Sequence, residues 1–145
     1  MPKLLLFAPC EKVIVDQQNN VSLISILQDL KIQVPETGPV PPANASAAIK
    51  WDVLTVWARR DDDAGKRYEQ RIALFNPEGA PTAISTTTPV ETKNATHRIV
   101  ATIFGFPIGS SGQYRLKLWL SEDGRESPEP IAEFAITVSQ EVLKK

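Results

Sequence analysis

Residues Gly112 to Val138 read GQYRLKLWLSEDGRESPEPIAEFAITV. Tyr114, Leu116, Leu118 and Leu120 alternate with Arg115, Lys117 and Trp119. Beyond a segment rich in Gly, Ser and Pro, Ala132, Phe134, Ile136 and Val138 alternate with Glu133, Ala135 and Thr137. Successive side chains of a strand point to opposite faces, so each run predicts a strand with one buried face. Two such strands across a turn predict a hairpin, and with it an antiparallel all-β fold.

Working outward, Leu4 to Val15 is an apolar run broken at Pro9, which cannot donate to a ladder. A first strand is expected to bend there or to lie at an edge. Asp16 to Asn20 is a polar turn, and Val21 to Val34 is expected to be a second strand. Its 3,4 spacing of Leu23, Ile26, Leu27 and Leu30 also suits a helix, but Ser and β-branched residues favour strand. Residues 35–48, PETGPVPPANASAA, predict a Pro-rich loop crossing between sheets. Strands follow over Trp51 to Arg59, Tyr68 to Phe75 and His97 to Phe104, with a short Thr-rich edge strand within Ile84 to Lys93. Residues 139–145 are polar and are expected to fray. The expectation is a single domain over residues 1–145: an immunoglobulin-like antiparallel β-sandwich of seven to nine strands.

Length and charge narrow the function. A chain of 145 residues can bury an ordinary core without staples. Sixteen Lys and Arg against seventeen Asp and Glu leave a net charge of -1, which offers no general attraction for nucleic acid or an anionic membrane. One cysteine, Cys10, allows no internal disulfide and fits a reducing, cytoplasmic compartment. The opening MPKLLLFAPC looks like a lipoprotein signal, but its apolar run, Leu4 to Ala8, is short and Pro9 precedes the Cys. No run is long enough to span a bilayer.

The GxYxLxLxL pattern of Gly112, Tyr114, Leu116, Leu118 and Leu120 resembles the penultimate strand of immunoglobulin-like domains, without their paired Cys. The front of the chain, CEKVIVDQQNNVSLISILQDLKIQVP, is similar to a group of small uncharacterised bacterial proteins. The matching residues are Cys10, Glu11, Asp16, Asn20, Ser22, Leu23 and Ile24. The resemblance implies a bacterial cytoplasmic sandwich and carries over no catalytic residue.

Catalytic chemistry has few candidates. Cys10 with His97, the single histidine, would make a thiol dyad, and a serine triad would also have to use His97. Cys10, however, sits in an apolar strand, where a thiol behaves as a small hydrophobe. Asp61, Asp62 and Asp63 could hold calcium, but three consecutive carboxylates converge poorly and Arg59, Arg60, Lys66 and Arg67 flank them. A solvated hairpin tip is expected instead, and no metal or cofactor. Trp51 and Trp57 share a face; they are either core or a platform for stacking sugars. Trp119 should point outward beside Arg115 and Lys117, the composition of an interface hot spot. The expectation is therefore a non-enzymatic module binding protein, including another copy of itself, through Trp119, Arg115 and Lys117. A carbohydrate-binding module is the second reading, and a hydrolase using His97 the third.

Overall fold

A computed structural model describes residues 1–35 and 45–143. Ten strands occur among them: β1 Lys3–Val15, β2 Val21–Ile26, β3 Asp29–Pro35, β4 Ser46–Ala58, β5 Tyr68–Phe75, β6 Pro81–Val90, β7 Thr96–Pro107, β8 Gly112–Glu122, β9 Arg125–Glu126 and β10 Ala132–Leu143. They form two sheets, one ordered β2-β1-β4-β7 and the other β3-β10-β8-β5-β6 with β9 beside β8. The all-β sandwich is as expected, with ten strands in place of seven to nine.

The C-terminal hairpin has the expected inward set. Leu118 faces Ala132, Leu116 faces Phe134 and Tyr114 faces Ile136 across the β8–β10 ladder. Tyr114, Leu116, Leu118, Leu120, Ile136 and Val138 all enter the core. From the facing sheet come Trp51, Val53, Trp57, Ile99, Ile103 and Phe106, each on the inner side of β4 or β7.

Three expectations need correction. The run Val21 to Val34 is two strands in different sheets: β2 stays paired with β1 through Ile26, and the chain crosses at Leu27 and Gln28, where the Gln28 amide donates back to the Ile26 carbonyl at 3.0 Å. The segment Ser139–Leu143 is not a fraying tail. It continues β10 and pairs with β3 in a parallel ladder, so the fold is not wholly antiparallel. Residues 36–44 of the expected Pro-rich loop lie outside the described residues, and Ser46 to Ala48 already belong to β4. The strands flanking that segment, β3 and β4, do lie in different sheets.

Beyond Cys10, β1 leaves the sheet. Pairing of β1 with β4 ends at Cys10↔Asp52, immediately after Pro9. Leu6 lies level with Val56, and Val56 with Arg98. At about 3.3 Å per residue, an unbent strand would carry Val15 roughly 30 Å past that level. Yet Arg98 donates to the backbone and side-chain oxygens of Asn19, at the tip of the β1–β2 hairpin, over 3.1 and 2.9 Å. The Val13 amide likewise donates to Asp52 Oδ2 over 2.9 Å. Asp52 and Arg98 both alternate with core residues and so face away from the sandwich interior. The distal half of the hairpin is therefore folded back across the outer face of the four-stranded sheet as a flap.

Candidate functional site

The outer face of the six-stranded sheet carries the residues singled out from sequence. Trp119 pairs with Arg71 and Arg115 with Phe75 across the β5–β8 ladder, and Lys117 is opposite Ala73. The direction is as expected, for Trp119 is absent from the core cluster. Its exposure is not: Trp119 is only 8% accessible. The Arg71 guanidinium lies 3.9 Å from the Trp119 ring centroid, and Phe75 packs at 5.9 Å. Arg71 is fixed in turn by a two-pronged pair with Glu126, at 2.9 and 2.8 Å. This pair holds the Glu126 carboxyl below its ordinary range, the Arg71 hydrogen bond outweighing desolvation. Lys117 sits 4.7 Å from the Phe75 ring, and Arg115 bonds Glu133 at 3.0 Å and Gln113 at 3.1 Å. The expected exposed anchor is thus a covered aromatic in a closed network. The adjoining shallow cleft of about 270 Å³, lined by Glu69, Arg71, Thr87, Ser121, Gly124 and Glu126, has its central charges already paired.

The other candidates disperse. Trp51 and Trp57 are 0% and 1% exposed, which removes them as a sugar platform. Trp51 Nε1 donates to the Gly105 carbonyl at 2.9 Å, and Trp57 Nε1 to Gln70 Oε1 at 2.8 Å. Cys10 is level with Asp52, but His97 is level with Trp57, roughly 17 Å further along β4 at about 3.3 Å per residue. No dyad forms, and His97 Nδ1 accepts the Glu91 amide at 2.9 Å. Burial, then the nearby Asp52 charge, push the Cys10 thiol upward, away from the thiolate.

The expected solvated tip at Asp61 to Asp63 holds for Asp61 and Asp62, which are exposed, and is corrected at Asp63. These residues form a short 3-10 turn in which Asp63 is fully buried. Its carboxylate accepts from the Arg60 amide at 2.7 Å and shares the Tyr68 hydroxyl with Glu122, at 3.1 and 3.0 Å. It also lies 2.9 Å from the amine of Met1. Burial alone would raise its pKa, but these contacts outweigh it and hold Asp63 below the usual carboxylate range. The same burial and the two carboxylates raise Tyr68. Among the described residues no three His, Cys, Asp or Glu side chains gather as metal ligands. No helix there is long and apolar enough to cross a membrane.

What the sequence reading missed lies on the other sheet. Of ten large hydrophobic side chains exposed among the described residues, eight lie on β1, β2 and β7: Leu5, Leu6, Ile14, Val15, Ile24, Ile26, Val100 and Phe104. Phe104 is 77% accessible. Leu54 and Cys10 also face outward here, yet both are fully buried, as the folded-back flap requires. Val13 and Leu23 pair across the flap and are half-buried, while Ile14 and Ile24 stand on its exposed side. The signal was present in the sequence: Val53-Leu54, Ile99-Val100 and Ile103-Phe104 are apolar at both parities, which half-buried strands do not need.

No family model and no curated protein matches the chain. It is similar to a solved β-glucosidase from Listeria innocua, with a TM-score of 0.46 and 11% identity over 98% of this chain and 17% of that one. The complex of a Listeria innocua β-glucosidase with gluconolactone gives a TM-score of 0.44 and 13% identity over 95% and 16%. The chain thus spans about a sixth of the length of these proteins.

Proposed function

We propose that this chain is a non-enzymatic interaction module that binds protein through the outer side of its four-stranded sheet. One observation carries the reading: eight of the ten exposed large apolar side chains among the described residues lie on β1, β2 and β7, with Leu6, Val100 and Phe104 on the outward parity of the sheet and Ile14 and Ile24 on the outer side of the flap. Single exposed apolar residues are ordinary, but their concentration on one surface marks an interaction site. The set is aliphatic apart from Phe104, which suits a protein surface better than a sugar, whose recognition needs open aromatic rings and polar groups. The immunoglobulin-like form belongs to the same proposal. It is supported by the Tyr114 hydroxyl, which donates to the Ser110 carbonyl at 2.9 Å, like the tyrosine corner of such sandwiches. The free, buried Cys10 fits a reducing, cytoplasmic setting.

The test places photoreactive benzoylphenylalanine at Phe104 and, as a control, at exposed Thr87 on the opposite sheet. Irradiation in cells should give discrete protein adducts from position 104 only. The adduct should re-form from the purified components and be lost on Val100→Asp. Equal adducts from both positions, or none from 104, would refute the assignment.

A further inference from the structure

The four sheet edges differ in how they are protected, and one, although β6 of the other sheet passes close to it, has no strand paired along it among the described residues. Free edges invite pairing with another strand, so proteins shorten, kink, charge or break them with proline. Edge strand β2 has six residues and the left-handed Ser25. Edge strand β3 has seven residues and ends in Pro35. Edge strand β6 carries Pro81 and Pro89. Edge strand β7 runs twelve residues from Thr96 with proline only at its end, Pro107. The one register shift against β4 puts the extra residue in β4, between Ala47 and Lys50, which leaves β7 regular. That regularity ends at Gly105, where φ is 101 and a Cβ would strike the Ser46 hydroxyl. Among the described residues, β4 alone pairs with β7.

Resting on the interaction reading above, we infer that the partner at this edge is a second copy of the chain, joined antiparallel β7 to β7 across a dyad near the Val100–Thr102 segment. Two features favour a second copy. The stretch Thr96–Phe104 holds a single formal charge, Arg98, and antiparallel pairing sets the two Arg98 side chains on opposite sides of the dyad. Val100 and Phe104, 40% and 77% exposed, share one face with Arg98 and Thr102; about a dyad at Ala101 the two Val100 side chains lie diagonal to each other, and each Phe104 lies opposite Arg98 of the other copy. Such a contact is isologous and closes as a dimer. Pairing nearly the whole regular stretch gives on the order of eight backbone hydrogen bonds, close to the roughly ten of a typical protein interface. The two four-stranded sheets would become one continuous sheet.

Sedimentation velocity of the full chain over a concentration series tests this. The unmodified protein should pass from monomer to dimer, and its β7 amides should exchange hydrogen more slowly as the dimer fills. Val100→Lys with Phe104→Lys sets lysines against the facing strand. Like charges brought together oppose association strongly, so the dimer constant should weaken about tenfold or more with the unfolding midpoint unchanged. A protein that stays monomeric at the highest concentration overturns the inference, as does a dimer that persists in the double variant. Concentration-dependent exchange at β7 in the unmodified protein decides the matter should that variant fold poorly. A monomer that still forms heterologous adducts from position 104 sinks the second copy and leaves the interaction module standing. Absence of both dimer and adduct sinks both.

Discussion

Leu54→Ala is the sharpest test of the folded-back flap. Leu54 points away from the sandwich interior, between Ala8 on β1 and Val100 on β7, yet it is fully buried. Were that face bare, truncation would be a surface change, within about 0.5 kcal/mol. Under a flap it removes a buried leucine and leaves a cavity, at a cost of about 2–5 kcal/mol. A domain has only about 5–15 kcal/mol of stability, so the loss would be a large share of it. At roughly 2–4 °C per kcal/mol for a chain near this size, the melting midpoint should fall by several degrees to about 20 °C. Urea unfolding followed by tryptophan fluorescence gives the number, and the slope should be unchanged if only stability moved. Val100→Ala, on the same face but 40% exposed, is the matched control and should cost far less. A double cycle with Val13→Ala asks whether the flap supplies the cover, since residues in contact couple by about 0.5–3 kcal/mol. A loss below about half a kcal/mol for Leu54→Ala would refute the flap, and strict additivity with Val13→Ala would show that Val13 is not the side chain that covers Leu54.

Further outcomes are expected elsewhere. Arg98→Met releases the flap tip from Asn19, so Cys10, now fully buried, should react with a thiol reagent markedly faster in the native state, and equal rates would count against the flap. Trp119→Ala should lower stability by more than about 1 kcal/mol in denaturant titration, because both a cation–π contact and an aromatic pair are lost; an unchanged midpoint would mean the ring is not held by its neighbours. Gln70→Leu strands the Trp57 indole N–H and the Thr55 hydroxyl, which both donate to Gln70 Oε1 at 2.8 Å. Leaving buried donors unmade costs about 1–3 kcal/mol each, so a melting midpoint equal to wild type would contradict the bonding. Asp63 titrates below its unfolded value, so its stabilisation is full above the unfolded carboxylate range and is lost as pH falls through the folded value. Tyr68 is raised, so its contribution is full below the ordinary tyrosine range and is lost as pH rises through its folded value. Asp63→Asn should flatten the acid limb of stability against pH, and Tyr68→Phe the alkaline limb; limbs identical to wild type would exclude both roles.

The parts of the fold legible in the sequence are those written in local alternation. The β8 and β10 runs keep one parity over their inward residues, and pairing follows that parity. The division of Val21 to Val34 was legible in principle. Val21 and Leu23 are apolar at odd positions and Leu30 and Ile32 at even ones, and the phase changes around Ser25. A helical 3,4 spacing hid that shift. The strand character of Ser139 to Leu143 was not legible, because it depends on β3, which is remote in sequence. Trp119 is the same case: alternation set its direction, but its cover comes from Arg71 and Phe75 on another strand. The Asp61 to Asp63 run reads as solvent-facing until Arg60, Tyr68 and Met1 are placed around Asp63.

Both outer faces of this sandwich carry apolar side chains, and each is covered by a different device. On the six-stranded sheet, Trp119 and Phe75 are roofed by cations from adjacent positions, Arg71 and Lys117, and Arg71 is itself neutralised by Glu126. That cover is local and polar on its outside, and it leaves Trp119 buried and Phe75 half-buried. On the four-stranded sheet the cover is the chain's own hairpin, which hides Leu54 and Cys10 but sets Ile14 and Ile24 on its outer side. The flap thus moves apolar surface outward rather than removing it, and Val100 and Phe104 remain exposed besides. A chain that roofs one face with its own cations and leaves the other apolar, beside a twelve-residue edge with no interior proline, has the asymmetry that the proposed interaction module needs. On the proposed reading, the polar sheet meets water and the four-stranded sheet meets a partner.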